Sequence, residues 1–250
     1  MNRIAAVIVS CMLAACSSAP PPLPGSEEKP SSASINAQLG LSYMKAGNLE
    51  VAEVKLLRAL AQDPELVETY QYLAELYSQK GMYTEAEDYY RQALRRAPQD
   101  ASALNNYGAF LCGRGRYQEA ERQFLKAVDV PGYRQRDEAL ENAALCMMRV
   151  PDAARAEQHL RQAVSLNPRR GRSLLLLAQL SFDHGDLPAA QSYLNSLGKV
   201  AAPSPESLWL GVRVASRLGE TKQARELAEQ LKQQFPESAE SKRLGMSPRQ

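Results

Sequence analysis

One alanine recurs through this 250-residue sequence at nearly constant intervals, and that spacing limits what the chain can fold into more than any other feature. Ala52, Ala86, Ala120, Ala156, Ala190 and Ala224 are separated by 34, 34, 36, 34 and 34 residues. Twelve residues before each alanine stand Gly40, Ala74, Gly108, Ala144, Ala178 and Val212. Five before it stand Gly47, Gly81, Gly115, Pro151, Gly185 and Gly219. A bulky residue follows four later in five of the six units: Leu56, Tyr90, Phe124, Leu160 and Leu194, with Ala228 in the sixth. Each unit closes near a proline, namely Pro64, Pro98, Pro131, Pro168, Pro203 and Pro236. Small residues let two helices cross closely, and bulky ones fill the space between successive units. Glycine suits a left-handed turn after the first helix, and proline stops the second.

Six such units in register resemble the tetratricopeptide repeat. The expected fold is therefore all-α: a right-handed α-solenoid of about six helical hairpins. The repeats span 33–66, 67–100, 101–136, 137–170, 171–204 and 205–236, and the polar segment 237–250 is a tail whose latter part frays. The two extra residues fall near Val130-Pro131-Gly132, and repeats five and six are degenerate, with Leu197 and Leu231 where the others have a small residue. Degeneracy suits terminal repeats, whose outer faces meet no neighbour.

The first 32 residues have a different character. Ile4 to Ala15 is an apolar run behind Arg3, and its 12 residues fall short of the roughly 20 that a spanning helix needs. Leu13-Ala14-Ala15-Cys16 resembles the lipobox of bacterial lipoproteins. That resemblance implies a signal peptide over 1–15, lipidation of Cys16, and an outer-membrane address because Ser17 rather than Asp follows. Three acyl chains make a stable anchor where one gives only marginal binding. Residues 16–32 carry five prolines with serine, glycine and charge, the composition of a tether. Fully extended, it reaches roughly 50 Å.

Composition narrows the function. A formal net charge of +2 gives no global field for nucleic acid, and none is expected as a partner. His159 and His184 are the only histidines, far apart, and read as solvated side chains rather than ligands. No metal or cofactor is expected. The sequence contains no G-x-S-x-G, H-E-x-x-H or phosphate-loop motif. Gly113-Arg114-Gly115 reads as a turn. Glu27-Glu28 falls in the tether, while Glu85, Glu87 and Asp88 read as exposed acids complementing a helix start. The chain reads as a scaffold with neither catalytic residues nor a small-molecule substrate. With Cys11 in the signal peptide and Cys16 lipidated, Cys112 and Cys146 remain, on neighbouring helices. The sequence fixes no distance between them, so free thiols and a disulfide both stay open.

What remains is the inner face of the solenoid, lined by the second, fifth, ninth, twelfth and thirteenth positions of each repeat. Candidate groove residues are Ala37, Leu41 and Met44 in repeat one, and Gln71 and Glu75 beside Glu68 in repeat two. Repeat three offers Asn105, Asn106 and Ala109 beside Cys112, and repeat four offers Leu145 and Met148 beside Glu141. Leu175, Phe182 and Trp209 continue the frame. Apolar groove residues suit a peptide or helix partner, unless the curl of the solenoid buries them. Asn105 and Asn106 fit either bonds to a ligand backbone or bonds between helices.

Two strings carry a closer resemblance: LGLSYMKAGNLEVAEVKLLRAL (Leu39 to Leu60) and ALNNYGAFLCGRGRYQEAERQFLKA (Ala103 to Ala127). With the lipobox and six repeats, they resemble the PilF/PilW lipoproteins of type IV pilus biogenesis. The resemblance implies a pilotin, a lipoprotein that binds secretin subunits in the periplasm and promotes their outer-membrane localisation and multimerisation, with the contact on the amino-terminal repeats. The alternative is an adaptor for another envelope complex, serving cell-wall hydrolases or outer-membrane protein assembly.

Overall fold

The computed structural model describes residues 30–150 and 153–246; the segments holding the signal peptide, Cys16 and most of the tether lie outside them. Among the described residues, twelve helices form six hairpins. These are α1 (Ser32–Lys45) with α2 (Leu49–Gln62), α3 (Val67–Gln79) with α4 (Tyr83–Arg96), and α5 (Ala101–Gly113) with α6 (Tyr117–Asp129). They continue as α7 (Arg136–Met147) with α8 (Ala153–Leu166), α9 (Gly171–Asp183) with α10 (Leu187–Gly198), and α11 (Pro205–Leu218) with α12 (Thr221–Gln234). No helix among the described residues is long and apolar enough to cross a membrane.

The hairpins close where the small residues are. Ala52, Ala86, Ala120, Ala156 and Ala190 are wholly buried. A Cβ built on Gly40 would stand 2.5 Å from Leu56 Cγ, and one on Gly108 would stand 2.8 Å from the Phe124 ring. At the turns, Gly47, Gly81, Gly115, Gly185 and Gly219 take φ of 76–82°, a left-handed conformation that a side chain would strain. Beyond the second helix the chain turns extended. Asp63, which caps α2, has φ −146° and ψ 95°, the conformation favoured before Pro64.

Burial between hairpins follows one rule. Counting so that the recurrent alanine is twentieth, the third, seventh and eleventh positions of each first helix are buried in repeats two to five; Leu73, Leu177 and Met147 are fully so. Repeat one has no hairpin before it among the described residues, and its equivalents Ile35, Leu39 and Tyr43 are 48%, 40% and 37% exposed. At the other end, the polar tail begins with a helix. Residues Ala239–Met246 form α13, which packs on α11 and α12 and buries Ser241. Helix formation is favoured there because Ser238 caps the first turn, its hydroxyl accepting from Ser241 N.

Between the hairpins run carboxylates. The residue after the recurrent alanine is glutamate in four successive repeats, and three of these reach a neighbour. Glu53 accepts from Tyr77 at 2.8 Å and pairs with Lys80. Glu87 accepts from Tyr107 at 2.9 Å and Arg116 at 2.7 Å. Glu121 accepts from Arg155 at 2.7 Å and lies 2.8 Å from His159 Nε2. Two expectations are thereby corrected. Glu87 is a half-buried tie between hairpins rather than an exposed companion of a helix start, and His159 is a buried partner of Glu121 rather than a solvated side chain.

Burial pushes the Glu87 carboxyl up, but bonds from Arg116 and Tyr107 outweigh it and hold the group below the usual carboxylate range. A depressed folded-state value stabilises the fold fully above the ordinary range and loses that contribution as pH falls through it. Glu87→Gln is expected to lower the unfolding free energy by about 1–2 kcal/mol at neutral pH. Urea unfolding should show that difference shrinking on acidification; an equal penalty at both ends would contradict the assignment.

Candidate partner-binding groove

First helices pack on the next first helix along much of the stack: α1 on α3, α3 on α5, α5 on α7 and α9 on α11. Their inner sides are joined by neutral side chains about one repeat apart. Gln38 Nε2 donates to Tyr72 Oη at 3.3 Å, Asn106 Nδ2 to Gln71 Oε1 at 3.4 Å, and Asn142 Nδ2 to Asn105 Oδ1 at 3.1 Å. These bonds fix the spacing of the helices while leaving amide groups at the surface of the groove.

Two clefts lie along this face. The first, about 530 Å³, runs between α3 and α5, with Glu75, Ser78 and Gln79 on one wall and Asn106 and Ala109 on the other. Tyr83 and Tyr90 of α4 reach into it, and Arg114 stacks 3.8 Å above the Tyr83 ring. The second, about 380 Å³, runs between α5 and α7 and is lined by Asn142, Leu145, Arg149 and Arg172. Ala109 and Gly113 line both clefts, so the two form one groove crossing α5. Its charge is asymmetric, with Glu75 at the α3 end and Arg114, Arg149 and Arg172 along the rest. The chemistry suits an extended or helical peptide with apolar side chains and an acidic stripe.

The disulfide question is decided here. Cys112 of α5 and Cys146 of α7 are bonded, with Cα atoms 5.8 Å apart, and both sulfur-bearing residues line the second cleft. The bond staples two groove walls across a separation of 34 residues.

Several candidate residues are covered by their neighbours. Ala37 and Met44 are 1% and 3% exposed, Met44 within a core that continues through Leu73 and Tyr77 of the next hairpin, and Leu41 is half-buried against that core. Gln71 is buried too, donating to Asp100 Oδ2 at 2.9 Å. Burial leaves Ala37 and Met44 little surface for a partner, and Asp100 holds the Gln71 amide. Phe182 is buried beneath the guanidiniums of Arg213 and Arg217, 4.1 and 4.8 Å from its ring. Glu75, Asn106, Ala109 and Leu145 do line the clefts, while Asn105 lies in the first-helix ladder. Met148 is exposed at the end of α7 and lines neither cleft. Glu141 is buried, bonded to Arg170 and Ser173 and 3.9 Å from the cleft-lining Arg172.

Sequence reasoning missed Ser78, Gln79, Arg149 and Arg172, although the repeat frame contained them. The first three hold its twelfth and thirteenth positions and Arg172 a second position. Attention to apolar residues hid them. Tyr83 and Tyr90 come from a second helix, which that frame does not cover.

The tetratricopeptide repeat family matches at residues 55–88, 72–137, 151–209 and 207–238. The type IV pilus assembly protein PilF of Pseudomonas aeruginosa is 31% identical over 203 residues, covering 81% of each chain. The chain belongs to the PilF family. The solved structure of Pseudomonas aeruginosa PilF is 29% identical and superposes with a TM-score of 0.72, covering 86% of this chain and 97% of that one. PilW, described as a widely conserved type IV pilus biogenesis factor, is 30% identical with a TM-score of 0.70, covering 85% and 97%. As a PilF family member, the chain is a tetratricopeptide protein homologous to type IV pilus biogenesis factors, with protein partners in the pilus system implied.

The staple gives a measurable expectation. Loop closure over this separation corresponds to about 3–4 kcal/mol in the chain-entropy picture. Cys112→Ala with Cys146→Ala, compared with the oxidised chain by urea denaturation, should lose stability of that order. An unchanged midpoint would show that the bond adds nothing to the packed helices.

Proposed function

We propose that this chain is an outer-membrane lipoprotein of type IV pilus biogenesis that acts as a pilotin. It binds secretin subunits, brings them to the outer membrane and promotes their multimerisation. Membership of the PilF family supports the pilus assignment. The observation that carries the binding role is the single groove from Glu75 to Arg172, built on rigid helices and stapled by Cys112–Cys146. A rigid groove loses little conformational entropy when a peptide enters it.

The mechanism is physical. The lipid on Cys16 confines the chain to a membrane surface, and the groove holds a secretin segment. Confinement raises the local concentration of subunits and makes their association effectively intramolecular. Arginines along the groove attract an acidic segment, and the neutral ladder of amides pairs with its backbone. No bond is made or broken.

Two experiments test this reading. In cells carrying Cys16→Ala at wild-type abundance, membrane fractionation should find secretin monomers persisting and multimers missing from the outer membrane. Normal multimers there would remove lipid-directed delivery from the account. For the groove, Arg114→Glu with Arg149→Glu should weaken secretin capture at least about tenfold while leaving the helical content unchanged, because both side chains stand at the surface. Retained capture would move the contact off this face.

A further inference from the structure

A separate cleft, sharing no lining residue with the groove, opens between α10, α11 and α12 and encloses about 190 Å³. The seventh position of the repeat carries Leu73, Tyr107, Ala143 and Leu177 in repeats two to five, all buried where successive hairpins meet. In repeat six that position is Gly211, which lines the cleft without a side chain. Leu227 of α12 leans toward it, with Cδ1 3.0 Å from where a Gly211 Cβ would stand, yet the cleft stays open.

Two properties define what fits. The walls are apolar, formed by Leu194, Leu197, Leu208, Val214 and Leu227. None of the lining residues is charged, in a chain where 23% of residues are. A charged ligand would be desolvated there without a counter-charge. The rim is made of neutral amides, Gln191, Asn195, Gln223 and Gln230, of which Gln191 already donates to Glu220 at 2.6 Å. Side-chain amides offer the same donor and acceptor pair as a peptide backbone. An apolar cavity of about 150 Å³ engineered in another protein admits benzene, so this volume suits one benzyl or isobutyl group.

We propose that this cleft is a docking site for a partner peptide. It seats one phenylalanine or leucine side chain against the α10 and α11 walls, while the rim amides pair with the uncharged backbone on either side. The site is independent of what occupies the groove.

The test is methyl-resolved NMR of the leucine- and valine-labelled chain, titrated with N-acetyl-phenylalaninamide, N-acetyl-leucinamide, anionic N-acetyl-aspartamide and octyl glucoside. The two apolar amides should produce saturable shifts at Leu194, Leu208, Val214 and Leu227, with affinity of about millimolar strength, as expected of small fragments. The aspartate derivative should produce none. Gly211→Leu, whose Cβ would stand 3.0 Å from Leu227 Cδ1, should force Leu227 into the cleft and abolish the response. Gln223→Ala, on the rim, should weaken it about threefold with other methyl signals unmoved. The proposal is overturned by absence of saturable shifts, by an equal response to the aspartate derivative, or by a stronger response to octyl glucoside, which would make the cleft an acyl-chain site. Undiminished binding in both variants would overturn it as well.

Discussion

At Gly40 and Gly108 the two helices of a hairpin cross so closely that a methyl group would enter the side chain of Leu56 or Phe124. That close crossing is what makes a hairpin of this length a rigid block. Each block still has an apolar side it cannot bury alone, so it must stack on a neighbour. Leu73, Tyr107 and Leu177 lose their exposure only through stacking, as the exposed Ile35, Leu39 and Tyr43 of the first hairpin demonstrate. The row of first helices, and hence the groove, is a consequence of that stacking order.

Polar contacts then set the register. Glu53, Glu87 and Glu121 recur at one position and reach tyrosine, arginine, lysine or histidine across the stack. A half-buried carboxylate with several donors tolerates little sliding, since slippage would leave its charge desolvated and unpaired. Asn106–Gln71 and Asn142–Asn105 do the same on the inner face, and Cys112–Cys146 fixes α5 to α7 covalently.

The architecture was legible because the recurrent alanine, glycine and proline positions each answer to a steric requirement. The site was legible only in part. Glu75, Asn106, Ala109 and Leu145 follow from the repeat frame, but Ala37, Met44 and Gln71 share that frame and are buried. Periodicity says which side of a helix a residue occupies, not how far the neighbouring helix covers it. The Cys112–Cys146 distance depends on the packing of α5 against α7, which no spacing reveals. Glu87 looked like a solvated acid because its partners, Tyr107 and Arg116, lie 20 and 29 residues away. The cleft at Gly211 was invisible for a related reason: a departure from a repeat announces an absence, and only the structure shows whether a neighbour fills it.

The groove joins a mixed, arginine-weighted surface to a scaffold that holds it still, in a chain homologous to type IV pilus biogenesis proteins. The most direct measurement of the central claim is hydrogen exchange of the chain with and without the secretin of the same system. The account predicts added protection confined to the inner helices α3, α5 and α7, around Asn106, Ala109 and Leu145. Protection restricted to the second helices α4, α6 and α8, with the inner row unchanged, would contradict it.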